Sequence, residues 1–517
     1  MKSRFLICLM GTVVAFLGQG LAQGQLLGRI SFPNSGAEQA QSDFIEGVLY
    51  LHNFEYEDAA RAFRRAQEID PDFALAYWGE AMTHNHPLWS QQDRAAALAV
   101  LARLAPTPAE RAAKAGSDRE RGYLDAVELL YGTGEATENL SKNERDVIYR
   151  DAMRRHSAAY PADHEAVAFY ALSILGTAHE GRDFATYMQA AAVAQGVWDA
   201  NRKHPGAAHY LIHSFDDPVH APLGLPMARV YSEIAPAAAH AQHMTSHIFV
   251  AMGMWDDVVE ANEIARRVQT TRQAEFGQQL TVCGHYPYWL LYGYLQQGRM
   301  SNAAKVLDTC QERFNSGPTQ MELWHFRAMR ARYAIDSEDW SSLDRWNEGQ
   351  EGGISGPGAE RTLFARAYSA WRQGELESLR GTYEELQGYE PPEAEPEDAA
   401  LAGITRLEVE ALLALETGDT ERSIDLLRQA VSSEHELPYA FGPPQLAKPA
   451  SELLGEVLAA EGRWSESRKA YSDQLARTPE RAASMSGFAL AAGKLGDRSA
   501  AEEVSRRLAR NMRNADR

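Results

Sequence analysis

Two histidine pairs, His209 with His213 and His243 with His247, stand thirty-four residues apart, member for member. Within each pair a four-residue step puts both imidazoles on one helix face, a turn apart. Thirty-four residues is the length of one helix–turn–helix unit in a stacked array, so equivalent positions of consecutive units lie side by side. The chain around these pairs is therefore read as helical hairpins, each burying one face on its neighbours. A chain of 517 residues ordinarily divides into several domains, but a stack grows by adding units and reaches this length as one body.

The spacing of small and aromatic residues agrees. Gly47 and Ala59 let two helices approach, Tyr50 and Phe63 fill the space between them, Ala66 continues the buried face, and Pro71 stops the second helix. This pattern resembles a tetratricopeptide repeat. It returns as Leu454-Gly455, Leu458, the turn Gly462-Arg463-Trp464, Tyr471 and Pro479. A further copy runs from Gly418-Asp419 to Ala430, and Gly496-Asp497 marks a last turn. Between these ends, 166–179, 184–201, 206–215, 227–234, 237–252, 256–267 and 288–297 read as helices joined by short Gly, Pro or Asp turns. No run alternates as a strand does. The expected fold is all-α, a tetratricopeptide-type helix-turn-helix solenoid (superhelix).

The Gly-rich stretch 350–358 and the Pro/Glu-rich stretch 389–398 read as spacers. They divide the chain into a signal peptide (1–22), an N-terminal solenoid with a His-rich groove (23–349), a spacer-containing helical segment (350–398) and C-terminal repeats (399–517).

Lys2 and Arg4, an apolar run over 5–17 and the small residues of Gly20-Leu21-Ala22 have the layout of an export signal, and the run is short for a membrane anchor. Ile7 before Cys8 argues against a lipid-attached cysteine. The expected location is periplasmic or secreted, with no membrane span downstream. There Cys283 and Cys310 either pair or serve as two small buried apolar residues. The sequence favours the second reading, since it fixes no geometry for a bond. A formal charge of −20 repels phosphate backbones and anionic lipid, so no nucleic-acid partner is expected.

Over nearly all of the mature length the chain resembles a family of exported or cytoplasmic bacterial tetratricopeptide proteins with His-rich central repeats. The resemblance rests on Ala76-Tyr77-Trp78-Gly79-Glu80-Ala81-Met82 with Asn85-His86-Pro87-Leu88-Trp89, on Gly176-Thr177-Ala178-His179, and on His204-Pro205-Gly206 through His209-Tyr210-Leu211-Ile212-His213 to Asp216-Asp217-Pro218. Ser246-His247-Ile248-Phe249 and Gly442-Pro443-Pro444 before Lys448-Pro449 complete it. It implies the solenoid fold and carries no reaction or ligand with it.

Seven of the sixteen histidines fall between His204 and His247, where Arg229 is the lone Lys or Arg. Neutral imidazoles with few cations nearby suit a divalent transition metal: zinc, copper, iron or nickel. Both pairs sit at matching places on first helices, which line the concave groove of such a superhelix. Packed helices lie about 8–10 Å apart, so His209, His213, His243 and His247 are expected to converge as ligands on one ion or two. His86, His179 and His285 are further groove candidates. Asp216 and Asp217 are carboxylates able to orient the rings, and Tyr288 and Tyr292 are candidate ligand contacts. His240 and His220 are weaker candidates, while His52, His156, His164, His325 and His435 read as ordinary surface or core residues. The competing explanation is packing, since histidines between helices often just bond a carbonyl.

No phosphate loop, nucleophile elbow, His-Glu-x-x-His or dinucleotide fingerprint occurs. Two functions follow. One is an exported solenoid binding a protein, peptide or small molecule in its concave groove, with a transition-metal site of paired histidines. The other is a metal-dependent enzyme, hydrolytic or oxidative, using the same cluster.

Overall fold

The computed structural model describes residues 26–134, 136–348, 354–391 and 396–516. The export signal with Cys8, and parts of both spacers, lie outside them. The fold is all-α, a tetratricopeptide-type solenoid, with twenty-five α-helices among the described residues.

The repeat is visible in how glycine meets aromatic ring. A Cβ on Gly47 would stand 2.7 Å from the Phe63 ring and one on Gly79 would stand 2.4 Å from it. The same pair of close approaches, at the same sixteen-residue intervals, recurs where Gly455 and Gly487 flank Tyr471, at 2.9 and 2.1 Å. In each case one aromatic residue on a second helix fills the notch left by glycines on the helices before and after it, which is what makes the hairpins stack. Asp and Ser side chains start many of the helices. Asp163 caps His164–Leu175, Asp183 caps Phe184–Ala200, and Ser141 with Glu144 forms a capping box on Lys142–Ala159.

Helix boundaries depart from the sequence reading in informative places. The helix expected over 166–179 ends at Leu175, so His179 lies in a turn. The helix preceding His84 and His86 ends at Met82, because Pro87 disfavours helical geometry at the residue before it. Asn85–His86 instead pairs antiparallel with Gln91–Gln92, a small exception to the expected absence of strands. The helix expected over 227–234 begins at Ala221 and runs through Pro226, forgoing the one backbone bond that its nitrogen cannot donate.

The described residues form two compact units by internal contacts. The first comprises those up to Asp216 together with Pro222–Ile248; the second comprises Asp217–Ala221 and those from Phe249 onward. The described residues of both spacer stretches fall inside the second unit. The core of the first unit is aromatic: Trp78 meets Phe32, Tyr123 and Phe169 edge-on, and Phe44 lies between Phe63 and Phe73.

In the second unit, helices Gln320–Ser337, Ala359–Gln373, Pro396–Glu416 and Ala450–Ala460 share an apolar core that includes Leu363, Tyr368, Leu412 and Leu453. Its last hairpin returns to its first. Trp255 donates its indole N–H to the Glu480 carbonyl (2.9 Å), Ala482 N–H donates to Gln296 (2.9 Å), and fully buried Arg481 donates to Asp336 (2.7 Å) and Glu452 (2.8 Å). Cys283 and Cys310 are joined by a disulfide, with Cα atoms 4.7 Å apart. This corrects the expectation of two free buried thiols. The segment before His285–Gln296 folds back onto Met300–Phe314, a proximity that local sequence does not encode.

Among the described residues no helix is long and apolar enough to cross a membrane.

Candidate metal centre

The first unit gathers five imidazoles. His209 and His213 come from the helix Pro205–Phe215, and His240, His243 and His247 from the helix Ala239–Ala251. Ring centroids of His209 lie 4.9 Å from His213 and 5.0 Å from His240, and His247 lies 5.4 Å from His213 and 5.0 Å from His243. All five rings are buried, from 0% exposure at His209 and His243 to 7% at His240. The expected four lie in one run of ring contacts. However, the ligand atoms of His209 converge within 4.8 Å with those of His213 and His240, and those of His247 converge with His213 and Asp216. His240, ranked low from sequence, is therefore a full member of the cluster.

Hydrogen bonds set which nitrogen each ring presents. His209 Nδ1–H donates to the His52 carbonyl (2.7 Å). A carbonyl can only accept, so the neutral ring turns its Nε2 lone pair inward, 3.2 Å from His240 Nε2. His247 Nδ1–H donates to Asp216 Oδ2 (2.8 Å), leaving its Nε2 3.1 Å from His243 Nε2. His213 Nδ1 lies 3.4 Å from the same carboxylate oxygen. A carboxylate or carbonyl behind the imidazole is the arrangement that fixes ring and tautomer at metal sites. With metal–nitrogen bonds of about 2.0–2.1 Å, nitrogens 3.1–3.2 Å apart subtend roughly 100° at an ion, close to tetrahedral. Burial pushes the His209 pKa down to about 3, outweighing the His52 carbonyl, and His52 and His243 nearby push the same way. The ring is neutral, as a ligand must be.

Residues distant in sequence pack against this cluster. Phe54, with φ of 57°, lays its ring against His209 at 4.3 Å and reaches His213 and His240. Glu55 accepts from the His240 backbone N–H (2.9 Å). The expectation of a region poor in cations needs correction: Arg182 is ion-paired with Asp216, the two side chains 2% and 0% exposed, and donates to the His213 carbonyl (3.1 Å). Arg182 and Asp216 stand 34 residues apart, one repeat, so the guanidinium arrives from the equivalent place one unit earlier.

Behind the cluster lies a second buried network. Glu165 accepts from His52 Nε2 (2.6 Å) and His204 Nε2 (3.2 Å); His52 Nδ1 meets the Tyr210 hydroxyl (2.8 Å), and His204 Nδ1 accepts from Ala207 N–H (3.1 Å). Every imidazole nitrogen here has a protein partner, so the network is a brace. It holds the His52 ring, whose own carbonyl anchors His209. Burial raises the Glu165 carboxyl's pKa, yet His204 and His52 together hold it well below the usual range. Gly206 permits the approach, since a Cβ there would stand 2.3 Å from His52 Nδ1. His52 read as ordinary from sequence because its partners lie 113 and 158 residues away.

The remaining candidates make the following contacts. His179 pairs with Asp146 (3.0 Å), which also takes Lys142 (2.7 Å). His86 stacks on Tyr56 (3.9 Å) and contacts the Thr83 carbonyl (3.1 Å); with Tyr56, His84 and Gln91 it lines a cavity of about 750 Å³. The other four belong to the second unit. Asp217 accepts from the Val219 and His220 backbone N–H groups and from His220 Nδ1–H (2.9 Å). His285 packs on Trp289 and His325. Tyr288 is 5% exposed against Trp324, and Tyr292 is fully buried between Trp255 and Arg332.

No protein-family model matches this chain. No curated protein matches it either. Solved structures that it is similar to include the APC/C hetero-tetramer Cut9-Hcn1, at 9% identity over 92% of this chain and 81% of that one, with a TM-score of 0.35. The human IFIT1 dimer with m7Gppp-AAAA gives 12% over 96% and 94%, at 0.30, and the P58(IPK) TPR domain 11% over 89% and 99%, at 0.21. Similarity at this level says nothing of what the chain binds.

Proposed function

We propose that the first unit is a transition-metal-binding module of an exported helical-repeat protein, with His209, His213 and His240 as its principal ligands. The observation that carries this is the convergence of three buried imidazoles, His209 presenting a lone pair because its Nδ1–H is committed to the His52 carbonyl. The set differs from the sequence expectation: His240 joins His209 and His213 where His243 and His247 were expected. Three imidazoles leave a fourth position, and an ion held there supplies Lewis acidity, which keeps a metal-dependent enzyme, hydrolytic or oxidative, as the alternative use of the site. The disulfide supports export to an oxidising compartment, periplasmic or secreted.

Elemental analysis of tag-free protein after reconstitution tests the reading. At least one equivalent of zinc, copper, iron or nickel is expected, falling in His209→Ala and His240→Ala; below about 0.1 equivalent of every metal the reading fails.

A second reading, capture of a protein, peptide or small molecule, is favoured by the cavity of about 750 Å³ beside Tyr56 and His86, a size typical of small-molecule sites. A ligand captured by the wild type and lost in Tyr56→Ala at unchanged metal content supports it; equal capture by both rejects that cavity.

A further inference from the structure

Five imidazoles do not fit around one ion here. An ion with bonds of about 2.0–2.1 Å to nitrogen spans at most roughly 4.2 Å between opposite ligands. His209, His213 and His240 come near this as one set, their ligand atoms mutually within 4.8 Å, so a small inward turn of the rings closes them on an ion. His243 does not join it. Its ring centroid stands 6.0 Å from that of His240, and among the described residues no converging group unites it with His209, His213 or His240. It is turned instead toward His247, Nε2 to Nε2 at 3.1 Å.

That second pair has the features of the first. Both bring two Nε2 atoms within 3.1–3.2 Å, and in both one ring is fixed from behind: His209 by the His52 carbonyl and His247 by Asp216. In a neutral His247 with its Nδ1 proton committed to Asp216, Nε2 carries a lone pair directed at His243. His213 is common to the neighbourhoods of both pairs, 4.9 Å from His209 and 5.4 Å from His247 by ring centroid, with its Nδ1 on the Asp216 side.

We propose that the cluster holds two transition-metal ions side by side: one in the His209, His213 and His240 centre, and a second in the bite of His243 and His247, with His213 and Asp216 between them. This rests on the metal-binding reading above and adds a second site to it. Like charges at such separation repel, so the two ions bind in sequence. Glu55 and Asp216 bring negative charge to the two sides, and Arg182 offsets that of Asp216.

Zinc stoichiometry of tag-free protein, by titration and elemental analysis, and electron paramagnetic resonance of the copper(II)-loaded protein together test this. Two equivalents are expected, with a half-field transition from two coupled copper ions. His243→Gln, which keeps a polar side chain of similar bulk, is expected to retain one equivalent and lose the half-field signal. A single equivalent in the wild type overturns the second site while leaving the three-imidazole centre standing. Two equivalents without spin coupling overturn it as well, because the second ion then lies elsewhere. No bound metal at all overturns the reading on which the proposal rests.

Discussion

Replacing Glu165 separates the two things it supplies, hydrogen-bond acceptors and negative charge. In Glu165→Leu the Nε2 donors of His52 and His204 both lose their acceptor where side-chain exposure is 0–1%. A hydrogen bond to a charged group contributes about 1.5–3 kcal/mol, so the expected loss is roughly 3–6 kcal/mol. Glu165→Gln avoids most of this by one rearrangement. His204 stays an Nε2–H donor because its Nδ1 accepts from Ala207 N–H, so it takes the amide oxygen. His52 moves its proton to Nδ1, donates to the Tyr210 hydroxyl and accepts from the amide NH2 at Nε2. Two neutral bonds about half as strong replace two charged ones, a loss of roughly 1.5–3 kcal/mol. Because the protein has two units, the assay is urea-dependent hydrogen exchange in the helix Pro205–Phe215, which reports on the first unit alone. Equal stability of the two variants within about 0.5 kcal/mol, or a leucine variant costing under about 1 kcal/mol, refutes the reasoning.

Three further outcomes are expected. Gly206→Ala drives a methyl to 2.3 Å from His52 Nδ1 and should cost about 1–3 kcal/mol in the same exchange assay; a change under about 0.3 kcal/mol contradicts the tight approach. In metal-free protein His209 titrates at about 3 when folded and near 6.5 when unfolded. The unfolded chain therefore binds the extra proton between these values, and the contribution is fully present above about pH 6.5. It is lost on acidification by up to about 1.4 kcal/mol per pH unit, down to about pH 3. Stability measured at two pH values within that window checks this, and proton uptake on unfolding that is identical in His209→Asn argues against it. The disulfide closes a separation of 27 residues, for which chain entropy gives about 3.5 kcal/mol. Cys283→Ser with Cys310→Ser should lower the stability of the second unit by up to that amount, and titratable thiols at these positions in the unreduced, unfolded protein would refute the pairing.

The parts of the site legible in the sequence were those written at the repeat period. His209, His213, His243 and His247 were found by interval alone, and their helices run close to where periodicity put them. His240 lies one turn before His243 and was within reach of the same argument, yet it has no counterpart thirty-four residues earlier, so the register undervalued it. What could not be read was whatever departs from that period. Arg182 reaches Asp216 across one repeat of 34 residues, an interval that histidine spacing alone does not bring out, but Glu165 ties His52 to His204 across 113 and 39 residues, which match no period. Burial of a charge or an imidazole is set by partners that only the folded stack assembles. The same holds for Cys283 and Cys310, whose bond depends on how a loop folds back, and for His179, where the spacing suggested a helix end and the chain makes a turn.

A linear stack of hairpins has weak ends: each terminal repeat touches one neighbour, so such arrays melt inward, and loss of an outer repeat leaves the others standing. The second unit escapes that rule through the bond from Trp255 to the Glu480 carbonyl, which spans 225 residues. With Arg481 held by Asp336 as well, its outermost hairpins have partners on two sides. Unfolding of this unit should therefore be all-or-none, and its folding should be slow for a helical protein, because the closing contacts span more than two hundred residues. Removal of the last hairpin would expose the first one too, so a truncation there should destabilise residues more than two hundred positions upstream.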